Sequence, residues 1–201
     1  MHPNPAFREA DTEANLRFAA ARGFGMLAVN GQDGPICAHV PFLLAADGSS
    51  LDLHLARSNA IIRAGLPASA VMAVPGPDGY ISPDWYGVAD QVPTWNYIAV
   101  HLRGMLEPLP DTTLRAHVEA MSDRFEAELL PKPVWRTSKM GEGVMDRMMR
   151  MILPFRLRIT TVDGTWKLGQ NKPETARIGA ADGLDARGAV ELARLMRAAW
   201  A

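Results

Sequence analysis

The segment VPTWNYIAVHLRG at 92–104 gathers indole, amide, phenol, imidazole and guanidinium groups into one short stretch. From Tyr97 it alternates with the two-residue period of a strand. Ile98, Val100 and Leu102 face one way; Tyr97, Ala99, His101 and Arg103 face the other. A face of rings, imidazole and guanidinium suits a planar anionic ligand, and it equally suits a wet surface. LHLARSNAII at 53–62 places Arg57, Ser58 and Asn59 where a strand gives way to helical character. Free N–H groups, a hydroxyl and a cation there would attract an anion, although simple capping by Ser58 or Asn59 explains the same residues. TWKLGQNK at 165–172 packs Trp166, Lys167, Gln170, Asn171 and Lys172 into one strand end, a density that ordinary structure explains less easily.

Other patterns point away from familiar chemistries. Gly23, Gly25 and Ala28 have the dinucleotide-loop spacing, but a helix precedes them and a strand follows, the reverse of what that loop needs. The chain contains no phosphate-loop lysine motif, no HExxH and no G-x-S-x-G. His39, His54 and His101 each fall on an expected strand and could converge on zinc or ligate a heme. None lies at short ligand spacing from another, and satisfied or surface histidines explain them better. Cys37 reads as a small buried hydrophobe; as the single cysteine it excludes an internal disulfide and a cysteine-rich zinc site. The methionines, including MDRMMRM at 145–151, read as core and interface filler.

These groups need a scaffold, and the hydrophobic pattern supplies one. EADTEANLRFAAARG reads as a helix with Asp11 as its N-cap. Strands follow at FGMLAVN, ICAHVPFLL, LDLHLA and AVMAVP, with about two helical turns at ARSNAIIRAGL. GPDGYISPDWYGVADQVP reads as a Gly/Pro-rich connection into the strand containing Tyr97. DTTLRAHVEAMSDRFEAELL is a helix with Asp111 as its cap and an apolar stripe of Leu114, Val118, Met121 and Phe125. GEGVMDRMMRMIL reads as another helix, FRLRITTVDGTWKLGQNK returns to strand, and DARGAVELARLMRAAW closes as a helix. Short sequential strands with few intervening helices imply a mainly β fold, an antiparallel barrel with peripheral helices.

Composition bounds what such a fold does. At 201 residues and 48% hydrophobic content the chain is long enough for a real core, as one domain spanning 1–201 with N- and C-terminal helices. A formal net charge of -1 offers little for counterion-driven binding to duplex DNA. No apolar run approaches the roughly 20 residues that span a bilayer, and MHPNPAFREADTEANL lacks the apolar core of a signal peptide. A cytoplasmic location is the resulting expectation.

HVPFLL, LHLARSN, GYISPDWY, VPTWNYIAVHLRG and TWKLGQNK occur in the order found in PaiB-type FMN-binding negative transcriptional regulators, and the chain resembles that family from about Phe7 to about Gly179. The resemblance implies an FMN-binding split β-barrel, of the kind shared with pyridoxamine-phosphate oxidases and flavin reductases, assembled as a homodimer with flavin between subunits. By position in that fold, His39, Val40 and Pro41 run beside the isoalloxazine ring. The corner of His54, Arg57, Ser58 and Asn59 receives the phosphate, within reach of Lys167. Trp95, Asn96 and Arg103 line the flavin cleft; Trp166, Lys167, Gln170 and Asn171 supply a lid or partner-subunit contacts. The family usually carries serine where this chain has Gly169. Three functions stay open: a flavin-dependent oxidoreductase or carrier, a regulator acting through a partner protein or as a flavin sensor, and a heme-binding split-barrel relative.

Overall fold

The computed structural model describes residues 2–198. Six antiparallel strands close a barrel in the order β1-β2-β3-β6-β5-β4: β1 (Phe24–Gly31), β2 (Gly34–Leu44), β3 (Ser50–Ala56), β4 (Ala68–Ile81), β5 (Thr94–Pro108) and β6 (Ile152–Lys167). Helices α1 (Thr12–Arg22), α2 (Ala60–Arg63), α3 (Leu114–Glu126), α4 (Val144–Met149), α5 (Glu174–Asp185) and α6 (Val190–Ala198) decorate it. The mainly β reading with peripheral helices therefore holds. Of the expected closing helix, Ala199 and Trp200 lie outside the described residues. The chain divides into two compact units: Met1–Phe18 with Val74–His101 and Val162–Ala201, and Ala19–Ala73 with Leu102–Thr161.

In the second unit, β1 lies antiparallel to β2 from Phe24↔Pro41 to Gly31↔Gly34, and β3 lies antiparallel to β6 from Ser50↔Arg158 to Ala56↔Ile152. The alternation sends Leu27, Val29, Phe42, Leu51, Leu53, Leu55, Phe155 and Leu157 inward. Burying each such side chain contributes on the order of 1.5–3 kcal/mol, so this register is strongly specified. Cys37, expected to be buried, is exposed, because Ala38 and Val40 take the inward positions of β2.

The first unit packs Ile81, Tyr86 and Ile98 against the small residues of α5 and α6, among them Ala176, Ala180 and Ala193. Sequence reading missed α5 because PETARIGAADGLD contains two glycines that lower helix propensity. Here the glycines serve packing. A Cβ on Gly179 would sit 2.4 Å from the Trp85 carbonyl oxygen, and one on Gly183 would sit 2.3 Å from the Trp85 ring. The same reason extends β4 through GPDGYI, expected as a loop. Gly76 lets Phe18 and Ile98 approach, and Gly79 makes room for Leu184.

Candidate functional site

The outer faces of β2 and β3 carry the first group of candidates. Val40 is buried inside, while His39 and Pro41 point outward and the His39 ring stacks at 6.5 Å on Phe24. On β3, Asp52 and His54 alternate with the buried leucines. Asp52 accepts two hydrogen bonds from Arg156, at 2.6 and 2.8 Å, and this carboxylate raises the guanidinium's pKa. His54 Nδ1 lies 3.2 Å from His117 Nε2 on α3, so one imidazole donates and the other accepts. Burial lowers both pKa values; for His117 the His54 ring adds to that effect and Asp52 opposes it. His117 escaped sequence reading because it stands among the apolar stripe of α3 like any core residue.

Where β3 ends, the chain turns sharply. The expected two helical turns shrink to the four residues of α2, and Asn59 Oδ1 caps them by accepting from the Ile61 N–H at 3.0 Å. The Ser58 carbonyl accepts from Arg63 at 3.1 Å. So short a helix contributes little dipole, and the cations of the corner carry its chemistry instead. Arg57 donates through Nε to the Arg150 carbonyl at 2.7 Å and lies 3.4 Å from Asp111 Oδ2. Asp111, expected to cap α3, thus serves as a counter-ion; α3 follows a short 3₁₀ turn with no side-chain cap. Arg57, Arg115 and Arg150 line one open cleft of about 500 Å³, with Thr112, Asp111 and Asp146. Arg115 is paired with Asp146 and lies 3.7 Å from Glu119. Three guanidiniums on one cleft, with the Thr112 hydroxyl, suit an oxyanion. Arg115 and Arg150 were missed because their segments read as a helix face and a methionine-rich filler.

A second cleft, of about 540 Å³, opens over β1, β4, β5 and β6. The burial of Ile98, Val100 and Leu102 confirms the alternation expected for β5. The outward set ends in Arg103, which lines this cleft with Met105, Ser69, Thr160, Thr161 and Asn30. Apolar walls with a few hydroxyls and one guanidinium accept a flat amphipathic ring system, and the volume is in the range of small-molecule sites. Ala56 faces Ile152 on β6, and Thr160 stands eight residues further along that strand, roughly 26 Å at strand spacing. The Arg57 corner and the Arg103 cleft therefore stand toward opposite ends of β6.

The remaining candidates belong to the first unit. Trp95 is half exposed and donates its indole N–H to Asp78 at 2.8 Å. Asn96 is turned inward, 1% exposed, with Nδ2 3.5 Å from Met196 Sδ. Trp166 donates to Asn15 Oδ1 at 2.8 Å. Gln170 ties a turn together: it accepts from the Leu168 N–H at 2.8 Å and donates to the carbonyls of Trp166 and Ala6 at 2.6 and 2.9 Å. Lys167 donates to Thr94 Oγ1, and Asn171 is exposed. Gly169 adopts φ +82°, where glycine escapes the strain that a residue with a side chain would carry. Among the described residues, no group of three or more His, Cys, Asp or Glu is placed to hold a metal ion, and no helix is long and apolar enough to cross a membrane.

A family model described as an FMN-binding domain matches residues 1–161. The chain belongs to this FMN-binding domain family. Its resemblance to PaiB-type proteins has a curated counterpart, the protease synthase and sporulation protein PAI 2 of Bacillus subtilis (strain 168). The two are 28% identical over 172 residues, covering 84% of this chain and 82% of the relative. Among solved structures, the FAD and heme binding protein of Mycobacterium smegmatis superposes with a TM-score of 0.61 at 19% identity, covering 87% of this chain and 80% of the other. The flavocytochrome Anf3 of Azotobacter vinelandii gives 0.58 at 15% identity, covering 83% and 72%. At those identities the likeness establishes the fold, a split barrel. The FMN-binding domain covers both clefts of the second unit.

Proposed function

We propose that the whole chain works as one FMN-binding split-barrel domain, in a cytoplasmic homodimer, with the FMN phosphate held at the Arg57 corner. The observation that carries this reading is the convergence of Arg57, Arg115 and Arg150 on one cleft at the end of β3. Arg57 is oriented by the Arg150 carbonyl and Asp111, so its fork is fixed before an anion arrives. His39 and Pro41 offer the flat, outward surface for the ring system, while Val40 anchors their strand from inside.

The Arg103 cleft, lined by none of the residues of the Arg57 corner, serves the flavin held by the second subunit. Exposed Met105, on the wall of this cleft, suits a face that a second copy covers. A bound flavin supplies one- or two-electron chemistry. The chain's own residues bind and orient it. A flavin-dependent sensing or redox role that reaches transcription through a partner protein is consistent with a net charge of -1.

Fluorescence titration of FMN and riboflavin into wild type and Arg57→Ala tests the corner. Loss of a charge-assisted hydrogen bond, about 1.5–3 kcal/mol, weakens FMN by roughly 10- to 150-fold and leaves riboflavin unchanged. Circular dichroism checks folding. Equal FMN affinity in both proteins would remove the phosphate from this corner.

A further inference from the structure

Lys167 and Lys172 stand out among the basic residues of the chain. Arg57, Arg115, Arg156 and Arg197 all meet carboxylates. Among the described residues, neither Lys167 nor Lys172 forms an ion pair; their ammonium groups have only neutral partners. Lys167 Nζ donates to the Thr94 hydroxyl and lies 5.9 Å over the Phe7 ring. Lys172 Nζ donates to the Gln91 side-chain oxygen and lies 5.2 Å over the Tyr86 ring. Both residues are half-buried.

Two half-buried like charges without a counter-charge are costly to keep together. Desolvation, followed by the charge of Lys172, lowers the pKa of Lys167. The fold nevertheless holds both lysines firmly. The turn between them is locked by the three hydrogen bonds of Gln170, by the Lys172 N–H to the Gly169 carbonyl at 2.9 Å, and by the left-handed Gly169. Their acceptors, Gln91 and Thr94, come from the single segment leading into β5. The nearby Glu174, at the start of α5, is turned to Arg177 at 4.0 Å.

We propose that Lys167 and Lys172 form an oxyanion site, taking a phosphate or carboxylate group of a small-molecule ligand, with Thr94 and Gln91 as its neutral partners. An anion between the two ammonium groups would neutralise their repulsion, and the aromatic faces of Phe7 and Tyr86 would shield the charges from water. The site adds an anion position to the flavin reading without depending on the Arg57 corner. The oxyanion belongs to a second, acidic ligand, since the flavin phosphate is already assigned to the Arg57 corner.

Calorimetric titration with inorganic pyrophosphate at low ionic strength tests the site. It uses FMN-loaded and flavin-free wild type, Lys167→Met, Lys172→Met and the double variant. The expected result is saturable one-to-one binding by wild type, weakened at least about ten-fold in each single variant and lost in the double. If a second ligand is the occupant, pyrophosphate binds the FMN-loaded protein and the double variant keeps its FMN affinity. Pyrophosphate that binds only flavin-free protein in competition with FMN, with a double variant that loses FMN but keeps riboflavin, would make the flavin phosphate the occupant and overturn the second-ligand site. Thermal melts of the flavin-free variants separate binding from folding, since removing the repulsion leaves stability unchanged or raised. Absence of saturable binding by either wild-type form, or undiminished binding by the double variant, overturns the proposal. Because the flavin-free arm needs no FMN, that failure is distinct from a failure of the flavin reading.

Discussion

The His54–His117 contact makes stability depend on pH below neutrality. Burial is the leading cause of both lowered pKa values, so the folded chain resists protonating either ring, whereas both titrate near 6.5 once unfolded. The unfolded state therefore binds more protons as pH falls below about 6.5, and unfolding free energy declines with it. Each imidazole that stays neutral while its unfolded counterpart is charged contributes a slope of about 1.4 kcal/mol per pH unit, and two give about twice that. The pair resists double protonation further, because the 3.2 Å contact needs one nitrogen without a proton. Asp52 favours the charged form of His117, but it is already engaged by Arg156, so it reduces the slope without abolishing it. Urea denaturation at intervals between pH 7.5 and 5 measures this slope above the carboxylate range. In His117→Leu the slope should fall, by at most about 1.4 kcal/mol per pH unit, since only His54 still lags behind its unfolded state. An identical slope in wild type and variant would show that the imidazole pair does not govern the acid response.

Gly104→Ala should abolish soluble folded protein or lower the melting temperature steeply, because the new Cβ would lie 1.7 Å from the Arg158 carbonyl oxygen, a backbone atom that cannot move aside cheaply. Gly169→Ser should cost about 1 kcal/mol in chemical denaturation through its φ of +82°, with the space around it otherwise sufficient. Light scattering at micromolar concentration should give a dimer; a monomer would remove the basis for assigning the Arg103 cleft to a partner's flavin. Duplex DNA should bind weakly and without sequence preference at physiological salt, and nanomolar specific binding would promote a direct regulatory role.

Strand alternation was legible because it is a local property. The burial of Ile98, Val100 and Leu102, against half-buried Tyr97, Ala99 and His101 and exposed Arg103, follows from a two-residue period that no distant contact is needed to impose. The family and its cofactor were legible for a related reason: the segments HVPFLL, LHLARSN and WKLGQN keep their order along the chain. Glycine was where local reading failed. Gly76, Gly79, Gly179 and Gly183 look like breakers in the sequence, yet they occupy a strand and a helix because Phe18, Leu184 and Trp85 need the room of the missing side chain. The anion chemistry of the corner was equally invisible. Arg57 was a plain candidate, but Arg115 and Arg150 lie on separate segments far along the chain, and only the packing of α3 and α4 beside the end of β3 brings the three guanidiniums to one cleft. His54 and His117, 63 positions apart, meet for the same reason. Periodicity and motif order are written locally in a chain, whereas which charges become neighbours is decided by the burial of apolar faces that contain none of them.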